Sequence, residues 1–283
     1  MKFLLLVILS ASLWATSETI HSSIVTYAEN KTFENSKQKE NGKVYGFGAD
    51  LHIDRSEYKF IYEHGDTATK QPPLKEDLHT DKLFLRYSYK IQNDLAFNLN
   101  YIHILNDNIA ITDDGQSFAA GLSYSPKKNL LTNFTQYYTN YEDFTVFQSD
   151  FKIEYKTKTD KIKFRLSSIT KYLDIHDKNI NIFTKNAKDK YFTSGLKLHM
   201  IYESYHFAAA AYFGKRAFAI MDDGFKIQHH AMEFDRTYAL AVGKNISNFV
   251  IRLQYIYQRA TELPIHNDNV EISNFRMLLN YKF

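Results

Sequence analysis

The chain has 283 residues, 44% of them apolar and 24% charged, with a formal net charge of +3. A mean hydropathy of −0.41 excludes a bundle of transmembrane helices, and the charged fraction excludes a mostly disordered chain. No cysteine is present, which excludes a disulfide framework, a thiolate zinc site and a cysteine nucleophile, and so small a charge gives no argument for a nucleic-acid partner.

Residues 1–17 read MKFLLLVILSASLWATS. Lys2 is a positive n-region, Phe3 to Leu9 a short apolar stretch, and Ala15 and Ser17 are the small residues of a cleavage site. This is the layout of a secretory signal peptide. It leaves 18–283 as one exported domain. The apolar stretch is too short to cross a hydrocarbon core of ~30 Å as a helix. The longest later apolar run, 207–213, is shorter still than a membrane helix needs. A membrane crossing by this chain therefore requires strands.

The elements that follow are strands by period. Residues 20–29, with Ile24, Val25 and Tyr27, are weakly patterned, and 43–53 form the next strand. Leu83, Leu85, Tyr87 and Tyr89 then oppose Arg86, Ser88 and Lys90. Phe147, Phe151, Ile153 and Tyr155 oppose Gln148, Asp150, Lys152, Glu154 and Lys156. Ile162, Phe164 and Leu166 oppose Lys163, Arg165 and Ser167. Phe249, Ile251, Leu253 and Tyr255 oppose Arg252 and Gln254. Phe275, Met277, Leu279, Tyr281 and Phe283 oppose Asn274, Arg276, Asn280 and Lys282. Successive strand side chains point to opposite faces, so each segment has one greasy and one polar side.

Short and long links alternate. The short ones fall near 54–56, 92–93, 126–127, 158–160, 203–204 and 246–247. The long ones fall at 30–42, 64–81, 106–115, 140–143, 174–188, 217–230 and 261–269. An even count of about fourteen strands puts both termini at the short-turn end. Tyr58, Tyr89, Tyr124, Tyr155, Tyr202, Tyr205, Phe249 and Tyr281 gather beside the short turns, where an interfacial aromatic girdle belongs.

These features together resemble a Gram-negative outer-membrane β-barrel: leader, dyad-repeat strands, alternating links and a final strand ending Met277-x-Leu279-x-Tyr281-x-Phe283. The resemblance implies an all-β fold, an antiparallel transmembrane barrel of about fourteen strands, in the bacterial outer membrane. It also implies lipid contact along the outer face. The terminal pattern resembles the signal that such proteins present to the barrel assembly machinery. The size resembles fourteen-stranded monomeric porins, which implies a channel for passive diffusion of small polar solutes, without cofactor.

In such a barrel the polar face meets the lumen. Alternation selects Arg86, Lys90, Lys152, Lys163, Arg165, Lys197, Arg252 and Arg276 as pore-lining candidates, with Asp50, Glu63, Asp150, Glu154, Glu203 and Asp235 as lumen acids. A basic excess favours anionic solutes. A mutually neutralised lining and a lumen blocked by an inward-folded loop stay open as alternatives. The long loops carry acid pairs, Asp113–Asp114 and Asp222–Asp223, able to hold divalent cations. His229–His230 is a poor chelate, because adjacent residues of an extended chain point apart. No catalytic or metal-ligating residues are assigned. A barrel enzyme acting on lipid or peptide needs a serine oriented by histidine, or paired acids with a histidine at the rim; the one His-x-Ser, at His21, lies at the frayed N-terminus, and lumen-facing acids at the outer ends are few. A structural or adhesive barrel without an open pore is the third class.

Overall fold

The structure is a computed structural model that describes residues 20–70, 76–106, 111–181 and 183–283. The expected leader, 1–17, lies outside the described residues. From the N-terminus the chain runs β1 Ile20–Glu34, β2 Lys39–Ile53, β3 Ser56–Thr69, β4 Leu78–Lys90 and β5 Leu95–Asn106. Next come β6 Gln116–Lys127, β7 Leu130–Asn140, β8 Thr145–Lys158, β9 Ile162–His176, β10 Lys190–Tyr202 and β11 Tyr205–Arg216. Two short strands, β12 Ile220–Met221 and β13 Lys226–Ile227, interrupt the series before β14 Met232–Ile246, β15 Phe249–Glu262 and β16 Asn267–Lys282.

Fourteen of these strands form one closed antiparallel barrel in which each pairs with its neighbours in sequence, β11 with β14 across the β12–β13 hairpin. β16 closes the barrel on β1, in register from Ser23↔Lys282 to Glu34↔Glu271. Closure leaves no edge, which is what a sheet in hydrocarbon requires.

The strands extend further towards the long-loop end than alternation suggests. β1 runs to Glu34 and β2 starts at Lys39, so the link is 35–38 rather than 30–42, and the last link shrinks to 263–266. Beyond the hydrocarbon zone both faces of a strand are polar, as at Lys31, Thr32 and Asn41. The ladder continues there while the pattern that announces it fades. At the other end tight turns hold Asp54, Glu203 and Ser247 at φ of 49°, 51° and 52°. Residues in the left-handed region suit two-residue hairpins. Glu203 is therefore a turn residue and not part of the lumen wall.

Outward positions carry the greasy side chains. Tyr58, Tyr89, Tyr124, Tyr155, Tyr205 and Phe249 ring the short-turn end, all solvent-exposed on the outer surface. Gly46 leaves room on the inner wall for the Tyr27 ring, whose hydroxyl donates to Glu63 Oε2 at 2.8 Å. Two bulges, at Phe213/Arg216 of β11 and Phe234/Arg236 of β14, shift the faces near the long-loop end. The second turns Asp235 towards Arg236 and Arg259, at 3.4 and 3.9 Å, on the outside. Simple alternation, which cannot see an extra residue, places it in the lumen.

Candidate functional site

The lumen is not uniformly polar. Its long-loop half holds a hydrophobic core built on Phe84, Ile102, Ile104, Tyr137, Ile169, Leu173 and Tyr191 of the barrel wall and on Phe144 of the β7–β8 link. What these side chains pack against is the connection 217–231, which enters from the long-loop end. Ala217, Phe218, Ala219 and Ile220 are all at most 1% exposed. Phe218 sits at φ +56° with its ring 4.8 Å from that of Phe144 and 6.1 Å from that of Tyr141. A bulky residue in that region of backbone space is strained by ~1–3 kcal/mol, so the ring packing must outweigh it.

Polar contacts fix the loop's height. Gln148 grips Ile220 as a fork: its Nε2 donates to Ile220 O and its Oε1 accepts from Ile220 N, both at 2.8 Å. Lys171 Nζ donates to the same carbonyl at 2.9 Å while pairing with Asp150. At the tip, a single 3-10 turn over Asp222–Gly224, Asp222 meets Lys197 at 2.7 Å and Asp223 meets Lys152 at 2.8 Å. Lys197 and Lys152 lie midway along β10 and β8, so the tip reaches the middle of the barrel. Lys197 holds the Asp222 carboxyl well below the usual range. Burial works against ionisation of Asp223, but Lys152 and Lys197 prevail and bring it to about 2. On the returning limb Thr112 donates to His229 O at 2.9 Å, and the His229 and His230 rings lie 4.2 Å apart. Burial holds both imidazoles well below their ordinary value, with Lys82, Lys31 and Lys39 adding to it. The acid pair expected to face solvent and cations is thus turned inward and bound to lysines.

The loop hugs the β4–β10 wall and leaves two clefts. One, of about 70 Å³, lies beneath the tip among Arg86, Asn98, Asn133, Tyr137 and Lys152. The other, of about 50 Å³, runs between the returning limb and the opposite wall, past Lys31, Lys82, Lys226, Glu29, Glu63 and Arg276. Each has room for only a handful of waters.

All eight candidate cations occupy the inner face of the wall, in different states. Arg276 pairs with the buried Glu29 at 2.5 Å, across the seam between β16 and β1. Lys152 and Lys197 are engaged by the loop tip. Arg165 lies 3.5 Å from Glu154, which also pairs with Lys156 at 3.2 Å and Lys152 at 3.7 Å, so one carboxylate serves three cations. Arg86 donates to Asn98 Oδ1 at 3.2 Å. Lys90, Lys163 and Arg252 have no acidic partner within ion-pair distance among the described residues. Alternation from residue 43 onward did not reach Glu29 and Lys31 on the weakly patterned first strand, and Lys82 sat beside a link drawn too long. Lys82 forms a buried pair with Glu63. Met277, Leu279, Tyr281 and Phe283 lie on the outward face of β16 or just past its end.

No family model matches the sequence, and no curated relative does. Solved structures do resemble it in shape. A bacterial polysaccharide outer membrane secretin superposes with a TM-score of 0.59 over 92% of this chain and 98% of that one, at 7% identity. A Pseudomonas aeruginosa FadL homologue reaches 0.54 over 93% and 90%, at 9% identity. Acinetobacter baumannii outer membrane protein Omp33 reaches 0.51 over 93% and 99%, also at 9%. Identities this low carry architecture and nothing finer. The closed ladder, greasy exterior and aromatic girdle agree with it: this chain has the fold of the bacterial outer-membrane β-barrels.

Proposed function

We propose that this chain is an outer-membrane channel through which small hydrophilic solutes pass by diffusion, with the connection 217–231 as its constriction. The observation that carries the reading is the cleft along β1, β3, β4, β15 and β16. There Lys226 of the loop faces a strip of charged wall that carries Lys31, Glu29 and Arg276. Charged side chains facing each other across a narrow water path select solutes by size and sign. Similar solved folds include, by their names, a FadL homologue and a Ralstonia pickettii toluene transporter with a TM-score of 0.54. Much of the lumen's apolar surface is spent on holding the loop, which favours polar solutes over apolar ones. The chain meets outer-membrane lipid through its girdle, and the terminal Met277, Leu279, Tyr281 and Phe283 act as the pattern that the barrel assembly machinery reads.

Purified protein in planar lipid bilayers tests this. Discrete conductance steps are expected, with permeation of neutral sugars falling steeply with size in liposome swelling. Absence of conductance in both the native protein and a variant with the loop released would end the channel reading.

A further inference from the structure

The short-turn half of the lumen, below the loop tip, has an asymmetric wall. Arg165, His199, Ala208, Ala241 and Gln254 are successive cross-strand partners over β9, β10, β11, β14 and β15. One level nearer the short turns the partners are Lys163, Ile201, His206, Gly243 and Arg252. In the first row the positions on β11 and β14 are both alanine, and in the second the glycine of β14 stands beside His206 of β11. The wall is therefore recessed there, with bulky basic side chains on either flank. His206 and Arg252 are two strand spacings apart, about 10 Å. Gly243 is flanked by Arg252 on one neighbouring strand and by His206 on the other.

The polar groups around this recess lack partners. Arg252 and Lys163 meet no carboxylate among the described residues, and Glu154 is shared by Arg165, Lys152 and Lys156. The His199 and His206 rings stack at 5.7 Å and 20°. His199 Nε2 and His206 Nδ1 are both buried without a hydrogen-bond partner. His206 Nε2 lies 2.7 Å from Asn245 Oδ1 and donates to it, because an amide oxygen only accepts. An unpaired guanidinium and ammonium on one wall attract an anion. An unmatched imidazole nitrogen takes a hydroxyl, which can donate or accept. Unsatisfied buried polar groups in a native wall call for a ligand or ordered water.

We propose that this recess binds a small organic carboxylate carrying hydroxyl groups. Arg252, Lys163 and Arg165 hold the carboxylate, His206 and His199 take the hydroxyls, and the Ala208–Ala241–Gly243 surface provides the space. The proposal deepens the channel reading, on which its role in permeation rests, but occupancy is measurable without conduction.

The test is calorimetric titration of the detergent-solubilised barrel with gluconate, propionate, glucose and inorganic phosphate. Gluconate is expected to bind, propionate about tenfold more weakly, and glucose not measurably. Arg252→Gln removes a charge-assisted contact and is expected to weaken gluconate at least tenfold. Ala208→Leu fills the recess with every charge kept and is expected to weaken it similarly. Lys244→Gln, which removes a cation from the outer face beside Tyr205, is expected to leave binding unchanged. Retained heat-modifiable migration on gels confirms that each variant is a folded barrel. No gluconate binding by the native barrel, binding insensitive to both inner variants, or phosphate binding as tightly as gluconate would overturn the assignment. Gluconate binding by a barrel that shows no conductance would leave the site standing and remove the channel.

Discussion

Phe218→Ala separates what holds the 217–231 loop in the lumen. Two kinds of contact compete for that role. The ion pairs of Asp222 and Asp223 have side chains 50% and 45% exposed to lumen water. Screened pairs of this kind contribute about 0.2–1 kcal/mol each, so Asp222→Asn with Asp223→Asn costs the docked state about 2 kcal/mol at most. The Phe218 ring is 1% exposed against Phe144 and Tyr141. Truncating such a ring costs about 3–5 kcal/mol, and alanine keeps the unfavourable positive φ. At ~1.4 kcal/mol per decade, that shifts the docked-to-released ratio by roughly two to three orders of magnitude, against little more than one for the charge variant. The chain lacks cysteine, so Ala219→Cys, at a fully buried position, provides a single reporter. With a membrane-impermeant maleimide the native-loop reporter should label slowly, the charge variant up to a few tens of times faster, and the Phe218→Ala barrel at least a hundredfold faster, with larger conductance steps. Equal labelling of the two variants, or faster labelling in the charge variant, would show that electrostatics and not apolar packing docks the loop.

Acid should loosen the same loop. The undocked imidazoles of His229 and His230 bind protons below about pH 6.5, whereas their docked pKa values lie far lower, so docking is fully stable above that pH and weakens as pH falls below it. Asp222 and Asp223, whose pKa values are depressed, lose their contribution only below about pH 4, so conductance recorded from pH 8 to pH 5 should rise in the native barrel and stay flat in His229→Gln with His230→Gln. Glu29→Gln should lower the denaturant midpoint by the equivalent of about 3–5 kcal/mol, because the Arg276 guanidinium would remain at the seam without its counterion. Gly46→Ala should cost about 1–3 kcal/mol in the same assay, since a Cβ there would fall inside the Tyr27 ring. Phe283→Ala should reduce outer-membrane yield in cells while leaving refolding into detergent micelles unaffected, which separates an assembly signal from a structural residue.

Strand number and facing were legible because the hydrocarbon imposes period two on every crossing. Leu83 to Lys90 and Phe275 to Phe283 point as their alternation says. What escaped had a local cause each time. Asp235 follows a bulge, and a bulge is invisible to parity. Glu203 lies in a turn that the strand pattern overran. The loop was the larger miss. Phe218, Ile220, Met221 and Phe225 are apolar residues in a connection read as polar. Their spacing matches no strand or helix period, because the cluster they join is spread over many strands of the wall. Nor does parity say which cations are matched. Arg276, Lys152 and Lys197 look equivalent to Arg252 in sequence, and only the partners Glu29, Asp223 and Asp222 distinguish them.

The seam between β1 and β16 joins residues more than two hundred positions apart, Glu34 beside Glu271. Until the last strand arrives, β1 has nothing on one side, and its free amides and carbonyls cannot be left in hydrocarbon. The chain therefore has no intermediate length at which it is a viable membrane object. A polypeptide cut short by a single strand is left with open edges at both ends of the sheet. Bringing the ends together is the slowest kind of contact to form, since the whole sequence must be delivered first. For this protein the structure is complete only once β16 is seated beside β1.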